Sequence, residues 1–298
     1  MNLIEKIFEK LNISFIWKGN SKKVVKQSGN GFQIQQEQNS VTNVFQIQNL
    51  TVTKIEELAG TDTPQDASGL LRSAGQRFIA EQQTKQENLK AIVAKADLAV
   101  ITDPQQVDQD WFLKWMEISQ TVSRENVQAI LAKILSGEVK KAGSFSLRAL
   151  DILKNLSKQE LELFQIFCDI SFSVPQIGDD LTCVISEPFG SPGQNGMQSI
   201  GLNYGNLAAL QDAGLIQGDL NSWRQFHIPQ MLQIPFTIGS TLYNLKTTDE
   251  TTTTQPKIKI LNFTSAGLEL RSVLNIGTKT EYNSKFLEWV NGQWKMIP

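Results

Sequence analysis

Apolar side chains recur at helical spacing along most of this chain. Leu3, Ile4, Ile7, Phe8 and Leu11 fall on one face of a short amphipathic helix. From Thr63-Pro64, a first-turn proline, a long helix is predicted. Leu70, Leu71, Ala74, Phe78 and Ile79 give it one apolar stripe, and Leu89, Ile92, Val93 and Ala96 give another. The polar run EQQTKQEN between the stripes cannot be core, so the segment reads as a hairpin or an oligomer arm, ended by Asp103-Pro104.

Four short helices follow. Asp110 can cap the first, whose inner face is Trp111, Trp115, Ile118 and Val122. Ser123 can cap the second, with Val127, Ile130, Leu131, Ile134 and Leu135 inward and Gly137 as a stop. Gly143 opens the third, carrying Leu147, Leu150 and Leu153, and Ser157-Lys-Gln-Glu160 is a capping box for the fourth, carrying Leu161, Phe164 and Phe167. The expected result is a compact helical bundle.

The period changes at both ends. Phe-Gln-Ile-Gln occurs twice, at Phe32–Gln35 and Phe45–Gln48. Its alternation is that of half-buried strands, so Phe32, Ile34, Phe45 and Ile47 are candidate self-assembly positions in a short β-hairpin. After Pro175, LTCVIS reads as a strand and EPFGSPGQNG as a loop. LNYGNLAALQDAGLI reads as a helix, and Gln233–Tyr243 and Lys257–Phe263 as strands around the tip NLKTTDETTTTQP. Helices at Ser265–Leu274 and Tyr282–Met296 close the chain. This order outlines a winged-helix domain, a helix-turn-helix variant.

The expected fold is mainly α with a smaller α+β part. Residues 1–60 would form an assembly segment, 61–170 a helical domain and 171–298 a winged-helix-like domain.

The 298 residues are 40% hydrophobic and 19% charged, which suits globular domains and not wholesale disorder. A net charge of -2 gives no general attraction to nucleic acid or anionic lipid. Two cysteines, Cys168 and Cys183, make no disulfide framework and fit a reducing compartment. Glu5 and Glu9 interrupt any export signal, and no stretch reaches the length of a membrane-spanning helix, so the expected location is cytoplasmic, away from membranes.

Catalytic constellations are sparse. His227 is the one histidine, no nucleophile elbow or Walker loop occurs, and the cysteines lack metal-ligand spacing. Glu138-Val-Lys140 has the Glu-x-Lys spacing of some magnesium nucleases, but it follows a helix instead of lying on a strand. Asp179-Asp180 reads as turn punctuation. No enzyme activity, cofactor or metal is expected.

Between Trp111 and Glu160, eight Lys or Arg stand against five Asp or Glu. Lys140, Lys141, Arg148, Lys154 and Lys158 are the candidate anion or nucleic-acid patch. Lys18, Lys22, Lys23 and Lys26 read as a solvated loop. The candidate recognition helix, Leu202 to Leu215, has no Lys or Arg, so a protein partner is favoured over DNA.

The run from Asp110 to Phe164 (DWFLKW, then ILAKILSGEVKKAGSFSLRALDILKNLSKQELELF) resembles an uncharacterised bacterial family known only as a domain of unknown function. More loosely, it is similar to the helical core of the abortive-infection alpha proteins. Weaker likeness extends through LNYGNLAALQDAGLI and FTSAGLELRSVL, and the Gln-rich segment lies outside the pattern. The resemblance implies a bacterial protein, in phage defence by the looser likeness, and hands over no catalytic residues. The expected function is a self-associating, homo-oligomeric adaptor or sensor that binds a protein partner. The alternative is a winged-helix DNA-binding regulator.

Overall fold

The computed structural model describes residues 65–98, 107–174, 181–190, 196–220, 222–225, 235–244, 246–247, 257–294 and 296–297. The expected N-terminal helix, the β-hairpin with Phe32, Ile34, Phe45 and Ile47, His227 and Asp179-Asp180 lie outside the described residues. The chain divides into two compact units, 1–143 and 144–298. Eight helices and a small antiparallel sheet make up the described part.

In the first unit, α1 (Gln65–Lys95), α2 (Gln109–Thr121) and α3 (Glu125–Lys140) share one core. The C-terminal half of α1 supplies Leu89, Ile92 and Val93; α2 supplies Phe112, Trp115 and Ile118; α3 supplies Val127, Leu131 and Ile134, all buried. The polar stretch before Leu89 is mostly at the surface, as its composition requires. Its last member, Asn88, is buried because it has partners. Its amide donates to the Gln120 carbonyl at 3.0 Å and accepts from Gln128, which also donates to the Val122 carbonyl at 2.9 Å. The N-terminal half of α1 leaves Leu70 and Phe78 exposed, 70% and 49%.

The cap of α2 is Asp108, whose carboxylate accepts from Trp111 N, and not Asp110. Helix α3 also runs through Gly137 to Lys140 instead of stopping there. A glycine with ordinary helical dihedrals lowers helix stability without ending it. The chain turns at Gly143, which has φ +79°, and the buried Glu138 carboxylate accepts its N–H at 2.6 Å.

That turn divides the helices expected to form one bundle: α2 and α3 belong to the first unit, α4 (Leu147–Asn155) and α5 (Lys158–Asp169) to the second. The reason is in the packing of α5. Phe164 and Phe167 stand 6.2 and 4.9 Å from the ring of Phe263 in edge contacts, tying α5 to the sheet.

The sheet of the second unit contains β1 (Phe172–Val174), β2 (Leu181–Ile185), β3 (Ser222–Gln225), β4 (Phe236–Ile238), β5 (Thr241–Tyr243) and β7 (Lys257–Asn262). Its order is β3-β7-β2-β1-β4-β5, with every pair antiparallel. A second small ladder joins β6 (Lys246–Thr247) to β8 (Met296–Ile297). The long strand expected over 233–243 is instead a tight hairpin. Gly239, at φ +58°, folds β4 back onto β5. Strand β7 therefore pairs with β2 and with β3, a strand the sequence pattern did not signal.

Side chains alternate across the sheet. Phe172 and Phe236 stand 4.9 Å apart, and Phe286 of α8 (Thr280–Trp294) packs 6.4 and 6.1 Å from them. The buried Tyr282 hydroxyl donates to the Ile185 carbonyl. On the opposite face, α5 and α7 (Ser265–Arg271) meet β1 and β7 through Phe263 and Arg271. Helix α6 (Tyr204–Asp212) packs on α5.

Cys168 and Cys183 are both buried, and burial pushes both thiols up, Cys183 to about 12. The thiolate is the reacting form. Both cysteines are therefore expected to resist a disulfide-exchange reagent at pH 8 in the folded chain and to react together in guanidinium. Prompt labelling of either without denaturant would contradict the burial. The sign of the pH effect follows: because the folded values are raised, stability is complete below the free-thiol value of about 8.5 and falls as pH rises beyond it.

Candidate functional site

Helix α6 falls within the stretch Leu202 to Leu215 that its sequence marks as a helix. Asn203 caps it, its side-chain Oδ1 accepting from Asn206 N at 2.8 Å, and the chain leaves through Gly214 at φ +77°. Leu207 and Leu210 are buried, while Tyr204, Gly205 and Asp212 are exposed, Tyr204 by 55%. The exposed side of α6 is therefore neutral to acidic.

An open cleft of about 620 Å³ lies where the end of α6 meets α4 and the start of α5. Its polar lining is Arg148, Asp151, Asn155, Glu160 and Asp212, against Ile152, Leu156 and Ala213. Glu160 is held by the capping box: its carboxylate accepts from Ser157 N at 2.7 Å, and Ser157 Oγ accepts from Glu160 N at 3.1 Å. Three carboxylates against one guanidinium suit a basic side chain better than an anion.

The candidate basic patch is distributed over both units. Lys140 and Lys141 end α3 in the first unit, where cations favour the helix dipole. Arg148, Lys154 and Lys158 are exposed on α4 and α5 in the second, and Lys158 pairs with Glu162 at 3.8 Å one turn on. Arg148 is the one that lines the cleft. Ser146 of GSFS caps α4, and its N–H and hydroxyl both donate to Glu269 Oε2 at 2.7 and 2.8 Å. Glu138 serves the Gly143 turn while Lys140 is exposed on the same helix, so the Glu-x-Lys spacing falls on an α-helix, not a strand.

Sequence reasoning missed the pairing of β3 with β7 at one edge of the sheet. Trp223 (55% exposed), Arg224, Gln225 and Lys257 stand at the surface. Lys259, opposite Trp223 in register, holds its ammonium 5.0 Å from the indole centroid. The available signal was the alternation Lys-Ile-Lys-Ile, which places two lysines on one face of a strand.

Among the described residues, no group of three or more His, Cys, Asp or Glu is arranged to hold a metal ion, and no helix is long and apolar enough to cross a membrane. A family model described as "Protein of unknown function (DUF2806)" matches residues 72–287. No curated protein and no solved structure matches the chain.

Proposed function

Because the chain belongs to this DUF2806 family of unknown function, we propose its role from its own surfaces: a non-catalytic adaptor or sensor that self-associates and binds a protein partner through its second unit. The winged-helix reading of that unit draws support from connectivity. Helix α5, strand β2, helix α6 and strands β3 and β7 come in that order along the chain, with β1 interposed before β2 and β4, β5 and β6 before β7, and β7 lies between β2 and β3 in the sheet. A helix-turn-helix protein of this kind places its second helix in the DNA major groove.

One observation carries the choice of a protein partner. Helix α6 exposes Tyr204, Gly205 and Asp212 and has no Lys or Arg along its length. Such a helix neutralises no phosphates, and Asp212 repels them. An exposed tyrosine suits protein contact, where aromatic residues are enriched. The cysteine usage supports a cytoplasmic setting in this proposal, and the looser resemblance of Asp110–Phe164 to abortive-infection alpha proteins, read from the sequence alone, is the ground for placing it in phage defence.

Self-association is tested by light scattering of the full chain. The expected result is more than one chain per particle, reduced to one by Phe32→Asp with Phe45→Asp. A wild-type monomer at every concentration would remove self-association from the account.

A second reading, a DNA-binding regulator, is favoured by the β3–β7 strand pair with Arg224, Lys257 and Lys259 beside Trp223. Three cations at a wing can reach the backbone next to a groove, with the tryptophan available for stacking.

A further inference from the structure

Arg271, the last residue of α7, has an unusual set of partners for a guanidinium that is mostly buried. Its Nε donates to Ser171 Oγ at 2.9 Å and its Nη2 to Ser173 Oγ at 3.2 Å. Both are neutral hydroxyls. Among the described residues no carboxylate forms an ion pair with it. The nearby Asp169 carboxylate is engaged elsewhere, accepting from Gly277 N at 2.7 Å and from the Gln165 amide at 2.8 Å.

The hydroxyls are oriented by the sheet. Ser171 donates to the Cys168 carbonyl at 2.6 Å, which turns its lone pairs toward Arg271. Ser173 and Thr182 are register partners on β1 and β2, with their oxygens 3.1 Å apart. Thr237 on β4 is the register partner of Ser173 on the other side, so a row of three hydroxyl residues crosses one face of the sheet beside the guanidinium. Ser173, Thr182, Thr237 and Arg271 are all partly exposed, so solvent reaches the row.

The donor count is in surplus. A guanidinium has five N–H groups, and two are used. Between Ser173 and Thr182 one hydrogen is shared, which leaves a second hydroxyl hydrogen for another acceptor. Burial lowers the pKa of Arg271, as expected of a cation withdrawn from water without a counter-charge. An oxyanion with several acceptor oxygens would supply both the charge and the lone pairs.

We infer that Arg271, Ser173 and Thr182 form a binding site for an oxyanion of the phosphate type, on the sheet face beside the end of α7. The inference stands apart from the partner-binding reading above, because it uses neither α6 nor the cleft.

The probe is inorganic phosphate, titrated calorimetrically into the full chain against chloride of equal ionic strength. Phosphate is expected to bind and chloride not. Thr182→Val, which keeps the volume and removes the hydroxyl, and Arg271→Gln should each weaken binding by about tenfold or more, the effect expected when a hydrogen bond to a charged group is lost. Lys90→Gln, an exposed cation in the first unit, should leave binding unchanged. Should Arg271→Gln fail to fold, Thr182→Val with Ser173→Ala decides the matter. A parallel titration with O-phosphoserine separates the sources: tighter binding than inorganic phosphate assigns a phosphorylated side chain, and equal or weaker binding a free ion. The inference is overturned if the chain takes up no phosphate beyond chloride, or if Thr182→Val and Arg271→Gln bind it as the wild type does.

Discussion

Replacing Gly239 by alanine is expected to unfold the second unit or to lower its stability by at least about 4 kcal/mol, in the range reserved for severe backbone and packing conflicts. Two effects add. At φ +58° an L side chain is strained by about 1–2 kcal/mol. The new Cβ would also overlap two backbone carbonyl oxygens, those of Asp169 and Gly277. Neither can move freely. Gly239 N donates to the Ser171 carbonyl and Ser240 N to the Gly277 carbonyl, both at 2.9 Å, so the turn is stitched to α5's exit and to the segment before α8. The control is Gly143→Ala. Gly143 has φ +79° but nothing within 4 Å of its would-be Cβ, so only the conformational strain of about 1–2 kcal/mol applies. Urea denaturation followed by circular dichroism reads both. Equal midpoints for the two variants would show that the close carbonyls do not constrain Gly239.

The second large effect is expected at Trp115 in the first unit. Its side chain is fully buried, stacks on Phe112 at 5.8 Å and donates from Nε1 to the Leu131 carbonyl at 3.0 Å. Trp115→Ala should cost about 3–5 kcal/mol, because the cavity lies between helices held by α1, α2 and α3 and cannot collapse fully. Trp115→Phe keeps most of the apolar volume and loses the hydrogen bond. Its cost should be about 1–3 kcal/mol, set by the carbonyl left without that donor. The difference between the two variants measures packing apart from hydrogen bonding. If Trp115→Phe costs as much as Trp115→Ala, the bond to Leu131 dominates instead of the ring's volume.

Helical periodicity made most of this fold legible. The stripes Leu89-Ile92-Val93, Trp111-Trp115-Ile118 and Val127-Leu131-Ile134 are buried as the pattern requires, and the Ser157–Glu160 capping box forms with both of its bonds. These signals are local, and local geometry decides them. Helix ends were less legible. Asp108 outcompetes Asp110 as a cap because it stands three residues before the amide it accepts from, and Gly137 stays helical because nothing there requires a positive φ.

The sheet was least legible. Strands of three residues, such as β1 and β4, carry too few alternations to stand out, and their pairing is decided by partners far along the chain. The unit boundary at Gly143 has the same origin: α5 resembles the helices before it, and its two phenylalanines meet a ring about 100 residues later. Of the candidate site, the neutral character of α6 could be read directly. The β3–β7 pair and the hydroxyl row under Arg271 could not, because each gathers residues by strand register and not by spacing in sequence.

The claim on which the functional account turns is that the second unit contacts protein and not DNA. Fluorescence anisotropy of a labelled duplex, titrated with the full chain at several salt concentrations, tests it most directly. The account predicts at most weak binding, unaffected by Tyr204→Ala. Tight binding whose affinity falls with salt at a logarithmic slope of about −3 or steeper, and which Arg224→Ala with Lys257→Ala abolishes, would contradict it and establish the β3–β7 edge as a DNA-contacting surface.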